Sequence, residues 1–277
     1  MKLLITGGNG QVAWEIIRFA VAQNYVVLAP PHQELDITNT QQVNTAIAQF
    51  KPQFVINTAA YTQVDKAETE IDRAYAVNRD GAGILACACK ETQIPLLHLS
   101  TDYVFDGKQK KPYHENDPVA PLNVYGLSKW EGEEAVRKHC PQHIILRVSS
   151  VFGVHGHNFV KIILRLAKEK DSLRIVADQI TCPTPAAAIA QTVLKIISAP
   201  QWGTYHYCGD EVVSWYDFAR AIVHKEIMPI TTAEYPTPAR RPAYSVLDCH
   251  KLLTTFGIEQ PSWRQELREV LDVLSTP

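Results

Sequence analysis

The 277-residue chain carries a net charge of −2, with 46% hydrophobic and 20% charged residues. This is the balance of an ordinary soluble globular protein, and it argues against nucleic acid or an anionic membrane as the main partner. No apolar run approaches the ~20 residues that span a bilayer.

The N-terminus runs directly into Leu3-Leu4-Ile5-Thr6-Gly7 without a cleavable signal pattern. The six cysteines are scattered and form no C-x-x-C pair. Both features predict a reduced, cytoplasmic setting with cysteines as small core residues. His155 and His157 lack an accompanying ligand cluster, so no metal-dependent centre is expected of them.

In chain order, Leu3 to Thr6 predicts a strand and Val12 to Ala22 a helix. Tyr25 to Ala29 is a second strand, Thr40 to Phe50 a helix, and Phe54 to Asn57 a third strand. A helical stretch covers Ile71 to Glu91, followed by a strand at Pro95 to Ser100. The helix holding Tyr125 reaches about His139, and His143 to Val148 closes the alternation. Strand–helix alternation with short links predicts an α/β fold with a doubly wound parallel sheet of the Rossmann type.

After Ser149 the pattern loosens into proline-rich loops between helices near Phe159 to Glu169, Ala186 to Ile197 and Trp215 to Val223. A smaller C-terminal substrate-binding lobe is expected over the strand ends, where open α/β sheets bind ligands. The expected division is 1–148, with parts of 172–200, for dinucleotide binding. Residues 149–277 then form mainly the substrate lobe, interleaved with the first.

Gly7-Gly8-Asn9-Gly10-Gln11-Val12-Ala13 sits between the first strand and first helix, the position a dinucleotide fingerprint requires. Small residues there let backbone approach a pyrophosphate, and helix-terminal N–H groups of Gln11 and Val12 face its charge. The second strand runs into Ala29-Pro30-Pro31-His32, with neither the acid that marks NAD nor the Arg that marks NADP. Asp36 and Ile37 are placed to flank an adenine. Ala59, Ala60 and Tyr61 follow the third strand beside the phosphates.

Ser100 and Thr101 end the fourth strand next to this groove. Tyr125 and Lys129 are four apart on one helix and share a face. The ammonium is expected to lower the phenol's pKa from its usual ~10, making Tyr125 a general acid for a carbonyl receiving hydride. A Thr101 hydroxyl at the strand tip can hold the developing alkoxide.

With these motifs in place, the chain resembles the extended short-chain dehydrogenase/reductases over nearly its whole length. Within them it is most similar to the sugar-nucleotide 4-ketoreductases of dTDP-L-rhamnose synthesis. The carriers include Gly7 to Glu15, Ala59 to Glu68, Ser100 to Gly107 and Pro121 to Gly126. Asp178-Gln179, Pro183-Thr184 and Pro236 to Pro242 extend the likeness into the second lobe.

The resemblance implies Thr101, Tyr125 and Lys129 as catalytic residues, with Lys129 also holding the nicotinamide ribose. It implies sugar contacts from Thr62, Val64, Asp102, Tyr103 and Asn158, and a diphosphate clamp at Arg241. The implied reaction is reduction of the 4-keto group of a dTDP-4-dehydro-6-deoxy-L-hexose by NADPH or NADH. A homodimer, and a structural Mg2+ ligand at Glu15, are further implications.

Two departures stand out. Ala13 replaces the third glycine, and Ser150 stands where the family usually has a Trp against the sugar. Tyr103 follows Thr101-Asp102 where dehydratases of the superfamily carry a Glu base, which disfavours dehydration. Epimerisation and a non-catalytic nucleotide-binding regulatory role are the remaining rivals.

Overall fold

The computed structural model describes residues 1–275. The first half alternates β1 (Lys2–Thr6), α1 (Gln11–Ala22), β2 (Val26–Leu28), α2 (Thr40–Phe50) and β3 (Phe54–Asn57). Then come α3 (Val64–Ala67), α4 (Ile71–Tyr75), α5 (Ala82–Thr92), β4 (Leu96–Thr101), α6 (Val124–His139) and β5 (His143–Val148). A π-helical turn at Ala76–Gly81 joins α4 to α5, so the predicted single helix is one irregular helical run.

The second half holds β6 (Val151–Phe152), α7 (Phe159–Glu169), β7 (Leu173–Val176), β8 (Ile180–Thr181) and β9 (Thr184–Pro185). It continues through α8 (Ala186–Ser198), β10 (Gly203–Tyr207), β11 (Val213–Ser214), α9 (Trp215–Ile222) and β12 (Ile227–Ile230). The described chain closes with α10 (His250–Phe256) and α11 (Trp263–Ser275).

Six strands form one parallel sheet in the order β10-β5-β4-β3-β1-β2. Both faces are covered, which is why its strands read as nearly continuous apolar runs. Side chains alternate: Leu3 and Ile5 pack against α1 and α8, whereas Leu4 and Val55 pack against α2 and α5. The chain leaves β1 towards β2 and returns past it to β3. Helices on either side of that reversal diverge and open a crevice at the carboxyl ends of β1 and β3.

The sheet is not confined to the first 148 residues. Its edge strand β10 and the covering helix α8 come from the second half. A separate core around Phe152, Phe218 and Trp263 holds α7, α9 and α11 together beside a short parallel pair, β7 and β12.

Candidate active site

Glycine makes the nucleotide end of the crevice possible by close approach. A Cβ on Gly8 would lie 2.1 Å from the Ala29 carbonyl oxygen, so no larger residue fits beneath β2. Helix α1 starts at Gly10 without a side-chain cap and with no acidic residue in its first turn. Its positive end is therefore left to face an anion.

The groove above has a volume of about 760 Å³. Gly7, Gly10, Gln11 and Val12 line one end, and Asp36 and Ile37 another. Ala59, Ala60, Tyr61 and Thr62 line its middle, with Tyr125 and Lys129 facing them. The geometry suits a long, anionic, partly aromatic ligand such as a nicotinamide dinucleotide. Asp36 uses its carboxylate locally, accepting from the Thr38 N–H at 2.9 Å and the Thr38 hydroxyl at 2.8 Å.

The catalytic helix is placed by its own N-terminus. Asn123 accepts from the Gly126 N–H at 2.8 Å and donates to the Arg240 carbonyl at 2.7 Å, tying α6 to the second lobe. A Cβ at Gly126 would stand 2.2 Å from the Tyr103 carbonyl oxygen, so glycine lets the helix touch the turn after β4. Tyr103 then meets Tyr125 edge-on, with ring centroids 5.8 Å apart.

Thr101, nearly buried, accepts from the Tyr103 N–H at 3.1 Å and donates to Asp102 at 3.0 Å. Burial pushes the Asp102 carboxyl up to about 6, and hydrogen bonds from Ser245, Thr101 and Ser149 hold it back from rising further. The Ser149 hydroxyl donates to Asp102 at 3.2 Å and lies 2.9 Å from Thr181, whose hydroxyl is 2.5 Å from that of Ser150. Ser150 itself adopts a left-handed φ of 44°.

The proton states differ from the sequence expectation. The Tyr125 phenol is pushed up to about 12 rather than down: burial dominates, and only its hydrogen bond with Thr101 opposes it. Lys129 does not offset this, because its Nζ is turned to the Leu99 carbonyl at 2.6 Å and lies 3.4 Å from His98. Burial also brings the Lys129 amine down to about 8, with Glu133 pulling the other way.

On the sugar side, Arg241 is bound bidentate to Asp65 at 2.9 and 2.8 Å, and also donates to the Thr237 hydroxyl at 2.7 Å. That hydrogen bond holds the Asp65 carboxyl below its ordinary range. Val64 opens α3, its N–H donating to the Thr62 carbonyl at 3.0 Å. Asn158 is buried and caps α7, accepting from the Lys161 N–H at 3.2 Å. Its amide donates to the Gly153 carbonyl at 2.8 Å and Gln11 at 3.4 Å, so both ends are engaged inside the protein.

Glu15, the possible structural Mg2+ ligand, is already paired within the chain. Glu15 is buried and takes both the Nε and Nη2 of Arg18, at 3.0 and 2.7 Å. Among the described residues no group of three or more His, Cys, Asp or Glu side chains could hold a metal ion. His155 instead stacks on Trp14 at 5.4 Å.

The family model described as the RmlD substrate binding domain matches residues 1–276. The chain belongs to this family. A dTDP-4-dehydrorhamnose reductase from Aggregatibacter actinomycetemcomitans is 45% identical, over 97% of this chain and 98% of that protein.

Crystal structures of family members superpose closely. The dTDP-4-dehydrorhamnose reductase of Clostridium acetobutylicum gives a TM-score of 0.97 at 41% identity, covering 100% of both chains. That of Bacillus anthracis, in complex with NADP, gives 0.94 at 36% identity, covering 98% of this chain and 99% of that one.

Several residues packed around the groove were not among those expected from the sequence. Asn78 in the π-turn is buried; it accepts from the Tyr61 N–H at 2.8 Å and donates to the Tyr61 carbonyl at 3.1 Å and Ser128 at 2.9 Å. It ties the groove's middle loop to the catalytic helix. Asp65, His98, Ser149 and Thr181 were also missed. An irregular helical turn is a recurrent marker of functional sites, but no residue pattern announces this one.

Proposed function

We propose that the chain reduces the 4-keto group of a dTDP-4-dehydro-6-deoxy-L-hexose, converting dTDP-4-dehydro-L-rhamnose to dTDP-L-rhamnose. The observation that carries this is the convergence of Tyr125 and Lys129 on the dinucleotide groove, beside Thr101, in a chain of this family. NADPH or NADH supplies the hydride when bound. The NADP held by the Bacillus anthracis relative favours NADPH.

The uncapped start of α1 would hold the pyrophosphate, and the Lys129 ammonium would donate to a ribose hydroxyl. Tyr125 donates its proton to the oxygen formed from the ketone. Its high pKa keeps that proton in place until the oxygen becomes basic. Thr101 turns its hydroxyl from Asp102 to the same oxygen and stabilises the charge there. Arg241 exchanges part of its pairing with Asp65 for the substrate diphosphate, which its planar fork suits. Ser150 and Thr181 bound the sugar end with hydroxyls in place of a Trp wall.

The test mixes pure protein with dTDP-4-dehydro-L-rhamnose and NADPH or NADH, following loss of reduced-nicotinamide absorbance and the product's stereochemistry. dTDP-L-rhamnose formed with stoichiometric cofactor oxidation is expected. Turnover without net oxidation would instead establish an epimerase.

A further inference from the structure

His98 is fully enclosed between the sheet and α6, and the chemistry around it determines which nitrogen carries its proton. Its Nδ1 lies 2.9 Å from the Asn57 side-chain nitrogen, and its Nε2 lies 3.4 Å from Lys129 Nζ. The Asn57 amide is oriented by the Ala59 backbone N–H, 3.1 Å from Oδ1, because a backbone N–H can only donate. The Thr6 hydroxyl donates to the same oxygen at 2.7 Å. Flipping the amide would set two N–H groups against each other at Ala59. Asn57 therefore presents N–H to His98, and Nδ1 must accept.

A neutral imidazole that accepts at Nδ1 carries its hydrogen on Nε2, which points at Lys129. An ammonium there would meet that N–H donor to donor. An amine can accept from Nε2–H while donating to the Leu99 carbonyl at 2.6 Å.

The charged groups around the pair leave this arrangement standing. Glu133 on α6 favours the ammonium, but its carboxylate is taken up by Arg147 of β5 at 2.7 Å and Arg137 of α6 at 2.8 Å. Burial, Lys129 itself, Arg137 and His143 of β5 all oppose a proton on His98. Tyr125, one turn before Lys129, is held protonated and adds no charge.

We propose that His98, its tautomer locked by Asn57, is a positioning residue that favours the amine form of Lys129 in the cofactor-free enzyme, so that docking of the dinucleotide on the alkaline side draws protons onto Lys129. The balance is simple: the amine lone pair leaves Nε2–H, takes a proton from solvent, and the resulting ammonium faces an anionic ligand with ribose hydroxyl acceptors. The proposal rests on the reading that a nicotinamide dinucleotide fills the groove. With the free amine titrating at about 8, the coupling appears on the alkaline side. At about pH 8.5 roughly three-quarters of a proton is taken up, falling to about one-tenth at pH 7, if the bound form regains an ordinary lysine pKa.

Two measurements on the whole protein decide it. Side-chain 15N NMR of the cofactor-free protein is expected to show His98 as the neutral Nε2–H tautomer; an Nδ1–H tautomer or an imidazolium overturns the proposal. Calorimetric titration of NADPH in buffers of different ionisation heat, at about pH 8.5, is expected to show the proton uptake. Asn57→Asp should abolish that uptake, because a carboxylate draws the hydrogen to Nδ1 and leaves Nε2 to accept from an ammonium. His98→Gln, able to accept and donate in the same places, should keep it.

Binding without uptake, or equal uptake in wild type and Asn57→Asp, overturns the proposal. If Asn57→Asp does not fold, the wild-type tautomer and wild-type uptake still decide. Absence of any dinucleotide binding sinks the functional reading instead, and the NMR result stands apart from it.

Discussion

The two ends of the site are built on different principles. Along the dinucleotide groove, recognition rests on backbone: Gly7 and Gly10, the uncapped start of α1, and the small residues Ala59 and Ala60. These groups need no rearrangement to meet a ligand. At the proposed sugar end the polar groups named for it already have partners within the protein. Arg241 holds Asp65, Asp102 holds Thr101 and Ser149, and Asn158 holds Gly153 and Gln11. A ligand there must exchange partners, which makes its own hydrogen-bond pattern decisive. The common scaffold thus has a preformed cofactor end and a competitive sugar end.

Removing the proton donor between the two ends has the largest expected effect. Tyr125→Phe should lower kcat by ~10²–10⁴-fold with NADPH affinity nearly unchanged, measured by steady-state kinetics and direct cofactor titration. Comparable losses in both would place Tyr125 in cofactor binding instead.

Arg241→Gln sharpens the contrast at the sugar end. Loss of a charge-assisted contact of ~1.5–3 kcal/mol should raise KM for the sugar nucleotide by ~10–100-fold while kcat and KM for NADPH stay close to wild type. An unchanged substrate KM would leave Arg241 as a structural partner of Asp65 alone.

Asp102 gives a pH-dependent effect on stability rather than on turnover. Its carboxyl titrates at about 6 in the folded protein, above the unfolded value near 3.8. A raised acid contributes stability at pH below the unfolded value and loses it as pH climbs through 6. Asp102→Asn lacks that loss, so its stability relative to wild type should improve by about 3 kcal/mol between pH 3.5 and pH 8. Denaturant unfolding at the two pH values checks this. A constant difference would show that the hydroxyls of Thr101, Ser149 and Ser245 fully compensate the buried charge.

Legibility in the sequence followed the same division. Strands β1, β3, β4 and β5 were readable because parallel strands buried on both faces are apolar throughout, and glycine, asparagine or proline marks their ends. β10 was not readable: Gly-Thr-Tyr-His-Tyr places a polar His206 inward, where Arg147 at 3.3 Å and the Tyr113 carbonyl at 3.0 Å satisfy it. The two-residue strands β6, β8, β9 and β11 are too short to carry any period. Helix α6 and the Tyr125–Lys129 spacing were legible because i and i+4 share a face in any helix.

The sequence by itself determined the strand–helix order, the glycine turn and the shared helix face of Tyr125 and Lys129, since each depends on neighbours within a few residues. Only tertiary structure decided their electrical states. Burial raised the Tyr125 phenol, and the Leu99 carbonyl and His98, some 30 residues from Lys129 along the chain, turned its amine away from that phenol. Asp65 was brought to Arg241 across 176 residues. A proton's energy depends on the dielectric and the partners that surround it in space, and one-dimensional spacing specifies neither.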